Sequence, residues 1–315
     1  MLKLNLYLPM ALCSHRFLSK IERGISDEYE KEVYYPAGAG NEKDNVRYKL
    51  QGDATLVKGV NGITIKDLDF ARWLFGDNIL RPLTMEDIKD VIDRLSDILH
   101  LPLNQAEVTS MIFWRDFVLQ NPVKNYFRYL GTLKNADRIV MTKGLYYKIG
   151  KDEELAFYDP MAAMKRKERP EAYKDKNVLR YEIRYGHKFF RSPGALKITA
   201  HRLYDGDVFM FLVPAWHNYY KAIQKNNDID LNFDKIKTKR NLYRVGDVSW
   251  LNTQGGEEKV MEHLRKNLKQ GILTPKQFYD LKKEINEVSG DGENYTTGNK
   301  LAGELGGLIE AADIN

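Results

Sequence analysis

The chain contains little cysteine and no long apolar run. A single cysteine, Cys13, stands among its 315 residues, so an intrachain disulfide and a zinc site of several thiolates are excluded. We interpret Cys13 as a small buried hydrophobic residue. No segment approaches the roughly 18 uncharged apolar residues that cross a bilayer, which excludes a transmembrane protein. These absences predict a soluble protein of a reducing compartment, the cytoplasm.

Several signatures of catalysis and targeting are also missing. The chain has no Walker-type loop, no GxGxxG after a strand, no GxSxG and no HExxH. Its six histidines are scattered, and we interpret them as surface or packing residues. The opening MLKLNLYLPMALCSH has the look of a secretory leader, but Asn5 and Pro9 interrupt the apolar run. We therefore predict a first β-strand there.

The charge balance favours an acidic partner only weakly. Lysine and arginine number 49 against 44 acidic residues, which gives a net charge of +5. Such a small excess does not by itself indicate nucleic-acid binding, so local clusters of cations must decide the question.

The first two thirds of the chain predict strands with helices between them. Turn-forming pairs in 48–65 predict antiparallel hairpins, and residues 108–119 are dense in strand formers. Thr84 is placed to cap a helix whose apolar residues recur at helical spacing up to Leu99. A second helix is expected after Pro122. This mixture predicts an α+β fold with an antiparallel sheet and flanking helices.

The active-site candidates fall in the next two predicted strands. Residues 144–159 form two apolar-rich arms around a charged turn, so we predict a hairpin with Tyr158 at its exit. Residues 178–185 alternate strictly, which places Arg180, Glu182 and Arg184 on one face that is either solvated or functional. The apolar run 208–223 is compatible with a buried strand or a helix.

The chain divides by composition into four segments. We predict a main domain over 1–225, a linker over 226–255, a helical hairpin over 256–289 and a flexible tail over 290–315. The hairpin follows from two apolar stripes separated by Gly271 and by the capping pair Thr274-Pro275. No internal repeat is visible in the sequence.

One constellation of residues fits phosphodiester transfer to a tyrosine. Such a reaction needs a phenol as nucleophile, carboxylates that hold a divalent cation, and cations that bind phosphate. The candidates are Tyr158 as nucleophile, Glu182 and Asp116 as carboxylates, and a set of cations, namely Lys165, Arg166, Lys167, Arg180 and Arg184.

A structural explanation of the same residues stays open. The chain has 19 tyrosines, and a tyrosine at the end of a hairpin is usually an amphipathic rim residue. A strand face that reads Arg-x-Glu-x-Arg is usually a solvated, ion-paired surface.

The order of several segments resembles the filamentous-phage gene II/X family of phage and plasmid rolling-circle replication initiators. The segments are MLKLNLYLP, IKDLDFARWLFGDNIL, VTSMIFWRDFVLQNP, ELAFYDP and LRYEIRY. The resemblance is most specific at Gly76 to Asn78, at Tyr158 and at Glu182, and it extends from the start of the chain to about Lys225. It implies a nicking-endonuclease-like fold in which the tyrosine joins covalently to the 5′ end of a nicked origin strand.

The resemblance also implies a cofactor, partners and a location. The cofactor is Mg²⁺ or Mn²⁺, and the partners are single-stranded or origin DNA and a host helicase or polymerase, in the cytoplasm of a bacterial host and away from membranes. The alternative is a relative that has lost catalysis and binds DNA or another partner.

Two departures from the family pattern bear on the site. The family places a lysine two residues after the tyrosine, where this chain has Pro160, so Lys165 is the candidate substitute. The family's strand carries an aspartate where this chain reads Ser110-Met111-Ile112. Either Asp116, Asp67, Asp69 or another acid completes the metal site, or the enzyme is degenerate.

Overall fold

The computed structural model describes residues 1–13, 31–33, 46–162, 164, 169–191, 197–231 and 233–312. The architecture is α+β, as predicted, with a large antiparallel sheet flanked by helices. The sheet strands are β1 (Leu2–Pro9), β2 (Lys31–Val33), β3 (Val46–Lys49), β4 (Thr55–Lys58), β5 (Gly62–Asp69), β6 (Glu107–Leu119), β7 (Ala136–Met141), β8 (Gly144–Ile149), β9 (Glu153–Tyr158) and β10 (Asn177–Tyr185). Two short strands, β11 (Asp228–Ile229) and β12 (Thr296–Thr297), pair separately.

The helices lie between and after these strands. Those within the first 225 residues are α1 (Phe70–Phe75), α2 (Met85–Leu99), α3 (Lys124–Phe127), α4 (His187–Arg191) and α5 (Asp207–Ala222). The later ones are α6 (Lys239–Thr253), α7 (Glu257–Lys269), α8 (Pro275–Asp291) and α9 (Lys300–Glu310). The run 208–223, which the sequence left open, is therefore largely the helix α5. In the described part of the chain, no helix is long and apolar enough to cross a membrane.

The ten-stranded sheet consists of two halves with the same topology. Its order is β2-β3-β4-β5-β1-β6-β10-β9-β8-β7. In the first half, β1 pairs with β5, and β2 to β5 are neighbours in chain order. In the second half, β6 pairs with β10, and β7 to β10 are neighbours in the same way. The two first strands, β1 and β6, pair antiparallel at the centre. The two halves therefore repeat one topology, which the sequence alone did not reveal.

The main core lies on one face of the sheet. Leu2, Leu4, Leu6 and Leu8 alternate along β1 and are all buried, which confirms the predicted first strand. The apolar stripe of α2 packs into the same core, and Thr84 caps this helix with a reciprocal bond to Asp87. The helix α5 covers the other half of the sheet, where Trp216 stacks on Tyr181 of β10. The opposite face of the sheet is left for polar side chains.

The C-terminal segments are more ordered than their composition suggests. The segment expected to be a linker, 226–255, contains α6, which packs with the helical hairpin α7–α8 around Val248, Met261, Phe278 and Ile285. The hairpin itself is as predicted, and Gly271 in its turn has a left-handed φ of 72°.

The segment expected to be a flexible tail contains α9. Leu305 and Ile309 of this helix are buried in the main core. Glu304 accepts hydrogen bonds from the Tyr126 hydroxyl at 2.5 Å and from the Gln120 amide at 2.8 Å. Ala312 is also buried in this core, and Leu301 and Leu308 pack against it. The glycine-rich and polar composition of the segment did not reveal these contacts.

Candidate functional site

Three candidate residues lie in one row across the polar face of the sheet. Arg180 of β10 pairs directly with Tyr158 of β9 on one side and with Asp116 of β6 on the other. Directly paired residues of antiparallel strands point to the same face, so the three side chains share it. The sequence placed them on neighbouring strands, and the register brings them into contact.

Tyr158 donates a hydrogen bond to Glu182. The distance from its hydroxyl oxygen to Oε2 of Glu182 is 2.9 Å. Burial raises the pKa of the Tyr158 phenol well above its usual value, and the adjacent Glu182 carboxylate raises this pKa further, whereas Arg180 and Arg184 oppose the rise. In the resting site the phenol is therefore neutral, and the carboxylate is the group placed to accept its proton.

The second oxygen of Glu182 is bound by Arg184. The guanidinium of Arg184 contacts Oε1 of Glu182 and, through Nη1, Oε1 of Glu154 at 2.8 Å. Because the Arg184 side chain is 36% exposed, it reaches from this buried carboxylate towards solvent. Of the two arginines of this network, it is the one that solvent reaches.

Arg180 is bound on several sides. Its Nε and Nη2 donate to the two oxygens of Asp116 at 2.7 and 2.9 Å, and Nη2 also donates to the carbonyl oxygen of Asn78 at 2.6 Å. The guanidinium carbon lies 4.8 Å from the ring centroid of Trp114. These contacts hold the cation beside Tyr158 in a fixed orientation.

The loop after α1 closes one end of the site. Gly76 ends the helix with a left-handed φ of 80° and turns the chain so that Asn78 reaches both Arg180 and the buried Asp69. Asp69 also caps α1 through the amide of Arg72 at 3.1 Å. The Gly76 to Asn78 pattern singled out in the sequence is thus a structural part of the site.

The buried state of this face corrects one expectation. Arg180 and Glu182 are 5% and 2% exposed, and Asp116 is 6% exposed, so a solvated surface is the wrong description of these three residues. A small cluster of Ile79, Met161 and Val178 packs at this end of the face. Of the three residues on this strand face, only Arg184 is exposed enough to fit the hypothesis of a solvated, ion-paired surface.

The remaining candidates fall outside this network. Lys165, Arg166 and Lys167 lie outside the described residues. Asp67 is exposed and forms an ion pair with Lys3 at 2.8 Å, so it does not join the buried carboxylates.

The carboxylates do not form an open cation site as they stand. Both oxygens of Asp116 accept from Arg180, and Oδ2 also accepts from the Leu80 amide at 3.0 Å. Glu182 is bound by Tyr158 and Arg184. Among the residues that the structure describes, no three His, Cys, Asp or Glu side chains converge on a point that could hold a metal ion. The Mg²⁺ or Mn²⁺ site stays a prediction.

Sequence reasoning missed three contributors to the site. Glu154 lies four residues before Tyr158, and even spacing along a strand would have placed it on the same face. Trp114 was hidden because its role depends on the register with β10. Gly144 lies directly opposite Tyr158 on β8, a pairing that hairpin length alone did not determine.

No protein family matches the chain, and no curated protein matches it.

Proposed function

We propose that the chain is a tyrosine DNA strand transferase that initiates rolling-circle replication, with a nicking-endonuclease-like sheet domain. The observation that carries the proposal is the hydrogen bond from the Tyr158 phenol to the buried Glu182, flanked by two arginines. A phenol, a proton acceptor and fixed cations are the groups that phosphodiester transfer to tyrosine requires. The sequence resemblance to replication initiators supports the same reaction.

The proposed step is a transesterification. The Tyr158 oxygen attacks the phosphorus of a DNA phosphodiester, and its proton passes to Glu182. The bond between phosphorus and the 3′ oxygen of the preceding nucleotide breaks, and that oxygen takes a proton from water. The products are a 5′-phosphotyrosine and a 3′ hydroxyl that can prime synthesis. Attack by the 3′ hydroxyl of another strand end reverses the step and rejoins the DNA.

The formal charges indicate that the described site needs further positive charge to bind a phosphate. Asp69, Asp116, Glu154 and Glu182 provide four negative charges against the two positive charges of Arg180 and Arg184. The excess of two negative charges would repel a phosphodiester. We propose that the Lys165 to Lys167 cluster supplies part of the missing charge, and that Mg²⁺ or Mn²⁺ supplies the rest. When bound, the metal would neutralise charge on the phosphate.

The test is the formation of a covalent adduct. Purified protein is incubated with end-labelled single-stranded DNA of varied sequence and Mn²⁺, and the products are separated under denaturing conditions. We expect a labelled adduct in the wild type and none in Tyr158→Phe. A matched control, Tyr146→Phe, removes a hydroxyl from the same face and should keep the adduct. An adduct that persists in Tyr158→Phe would assign the nucleophile elsewhere.

Two observations support a second candidate function, binding without catalysis. The carboxylates of the site are saturated by arginines, and the pKa of Tyr158 is raised. Both features suit a relative that has lost catalysis and binds DNA or a partner protein. Salt-dependent DNA binding without an adduct, across sequences and divalent metals, would favour this function over strand transfer.

A further inference from the structure

The outward face of α6 presents two aromatic rings to solvent. Tyr243 and Trp250 are 60% and 51% exposed. They lie seven residues apart, which is two helical turns, and both project from the side of the helix opposite its buried residues Val245 and Val248. Exposed rings of this size, repeated along one helix face, are a common feature of binding surfaces.

Gly246 leaves a notch between the two rings. It lies on the same helix face, three residues after Tyr243 and four before Trp250, and it is exposed. A Cβ atom added at Gly246 would meet nothing within 4 Å, so packing does not require glycine there. Glycine inside a helix is unfavourable relative to alanine. The absence of a side chain at Gly246 leaves space between the two rings for a flat ligand.

The notch is bordered by cations. Lys239 lies one turn before Tyr243 on the same face, with Nζ 5.4 Å from the Tyr243 ring centroid. Arg240 and Lys237 lie beside it and are exposed. In the described part of the chain, none of these three cations forms an ion pair with a carboxylate. Asp247, exposed and four residues after Tyr243, adds one negative charge to the same face. The surface therefore combines stacking area with three cations and one acid.

The sheet places the inner side of α6 near the candidate active site. Tyr158 pairs with Gly144, which pairs with Met141 at the exposed end of β7. Two strand spacings put Met141 about 10 Å from Tyr158. Met141 lines a cavity of about 590 Å³ together with Lys124, Arg128 and residues Ser249 and Asn252 of α6, which face away from the two rings.

We propose that the α6 notch, defined by Tyr243, Gly246 and Trp250, binds single-stranded DNA by stacking bases between its two rings. The proposal rests on the proposed function, since it gives the strand nicked at Tyr158 a second contact. The rings are about 10.5 Å apart along the helix axis, enough for about three base spacings. Aromatic stacking flanked by cations binds single strands with little dependence on sequence.

Trp250 itself reports on binding. Of the four tryptophans, Trp73, Trp114 and Trp216 are 6%, 2% and 0% exposed, against 51% for Trp250. Titration of the full chain with a short oligothymidylate should quench the fluorescence of Trp250. Binding is then measured by anisotropy of a labelled oligothymidylate in Tyr243→Ala and Trp250→Ala. Each should weaken affinity by about 5- to 150-fold, the loss expected for one stacked base.

A larger side chain at Gly246 distinguishes an effect on DNA binding from an effect on folding. Gly246→Leu improves helix propensity but occupies the space between the rings, so it should lower affinity without lowering thermal stability. Gly303→Leu is the matched control, because Gly303 is an exposed helical glycine of α9 with nothing within 4 Å of an added Cβ. This control should bind DNA like the wild type.

The outcomes distinguish this inference from the strand-transfer function. Unchanged oligothymidylate binding in Trp250→Ala and Gly246→Leu would overturn the notch, even if the Tyr158 adduct forms. Loss of binding in both variants would support the notch, even if the wild type forms no adduct. If Trp250→Ala instead abolishes self-association in sedimentation and leaves DNA binding intact, the face joins two copies of the chain and the inference is wrong.

Discussion

Asp116 and Arg180 lie directly opposite each other on β6 and β10 and form a buried, two-pronged ion pair. The two bonds measure 2.7 and 2.9 Å, and the side chains are 0% and 7% exposed. The carboxylate thus has a structural partner before any ligand arrives. Both oxygens of Asp116, which the sequence suggested as a metal ligand, are therefore already bound by Arg180 of the neighbouring strand.

Asp116→Ala should be strongly destabilising. It leaves the Arg180 guanidinium buried and without its carboxylate, and breaking such a pair from one side costs about 3–5 kcal/mol. Urea unfolding monitored by circular dichroism measures the loss. The control is Lys174→Ala at the exposed Lys174–Glu171 pair, which should cost less than about 1 kcal/mol. A similarly small loss for Asp116→Ala would mean that the ion pair contributes little to the fold.

Glu182→Gln should slow adduct formation by about 10²- to 10⁴-fold, the usual contribution of a positioned base. Glutamine keeps the shape of the buried side chain but cannot take the phenol proton. Because the pKa of Tyr158 is raised, the variant must rely on a small phenolate fraction. Its rate should therefore increase about tenfold per pH unit between pH 7 and 9.

The comparison for Glu182→Gln is Glu154→Gln. This variant removes one partner of Arg184 but leaves the bond between Tyr158 and Glu182 intact, so it should keep the pH profile of the wild type. If Glu182→Gln has the wild-type rate and profile at every pH, Glu182 is not the proton acceptor.

The sequence predicted local structure well and the surroundings of the site poorly. Alternation along 178–185 correctly placed Arg180, Glu182 and Arg184 on one face, because side chains on a strand repeat every two residues. It could not show that Asn78 and Trp114 contact Arg180, since those contacts depend on strand register and on a loop distant in the chain. The repeated topology was likewise invisible, because it lies in strand order rather than in residue type.

Gly144→Ala should impair catalysis through crowding. A Cβ atom at this position would lie 2.9 Å from Cβ of Tyr158 and 3.0 Å from the carbonyl oxygen of Phe157. The strand must shift, and the phenol must move with it. A displacement of about 1 Å at a reacting group costs about 10²-fold in rate, which the adduct assay measures.

The stability of Gly144→Ala must be measured beside its rate. Overpacking costs about 1–3 kcal/mol, and the sheet should survive this loss. A folded variant with the wild-type rate of adduct formation would show that the position of Tyr158 tolerates the crowding, and that the contact with Gly144 does not determine catalysis.

Alkaline pH should destabilise the fold through its tyrosines. Burial raises the pKa of nine described tyrosines, which reaches about 12 for Tyr126 and Tyr219; the others are Tyr48, Tyr147, Tyr158, Tyr181, Tyr185, Tyr204 and Tyr220. In the unfolded chain these phenols ionise near pH 10. Above that pH the unfolded state binds fewer protons than the folded state, so stability falls as pH rises.

The stability that buried tyrosines contribute is therefore complete below about pH 10 and decreases between pH 10 and 12. Absorbance at 295 nm, followed together with circular dichroism during an alkaline titration, tests this expectation. Exposed tyrosines should ionise first and reversibly, and the buried group should ionise together with loss of the fold. Ionisation of all 19 tyrosines in one reversible step near pH 10, with the circular dichroism unchanged, would contradict the buried environments that the structure assigns to these rings.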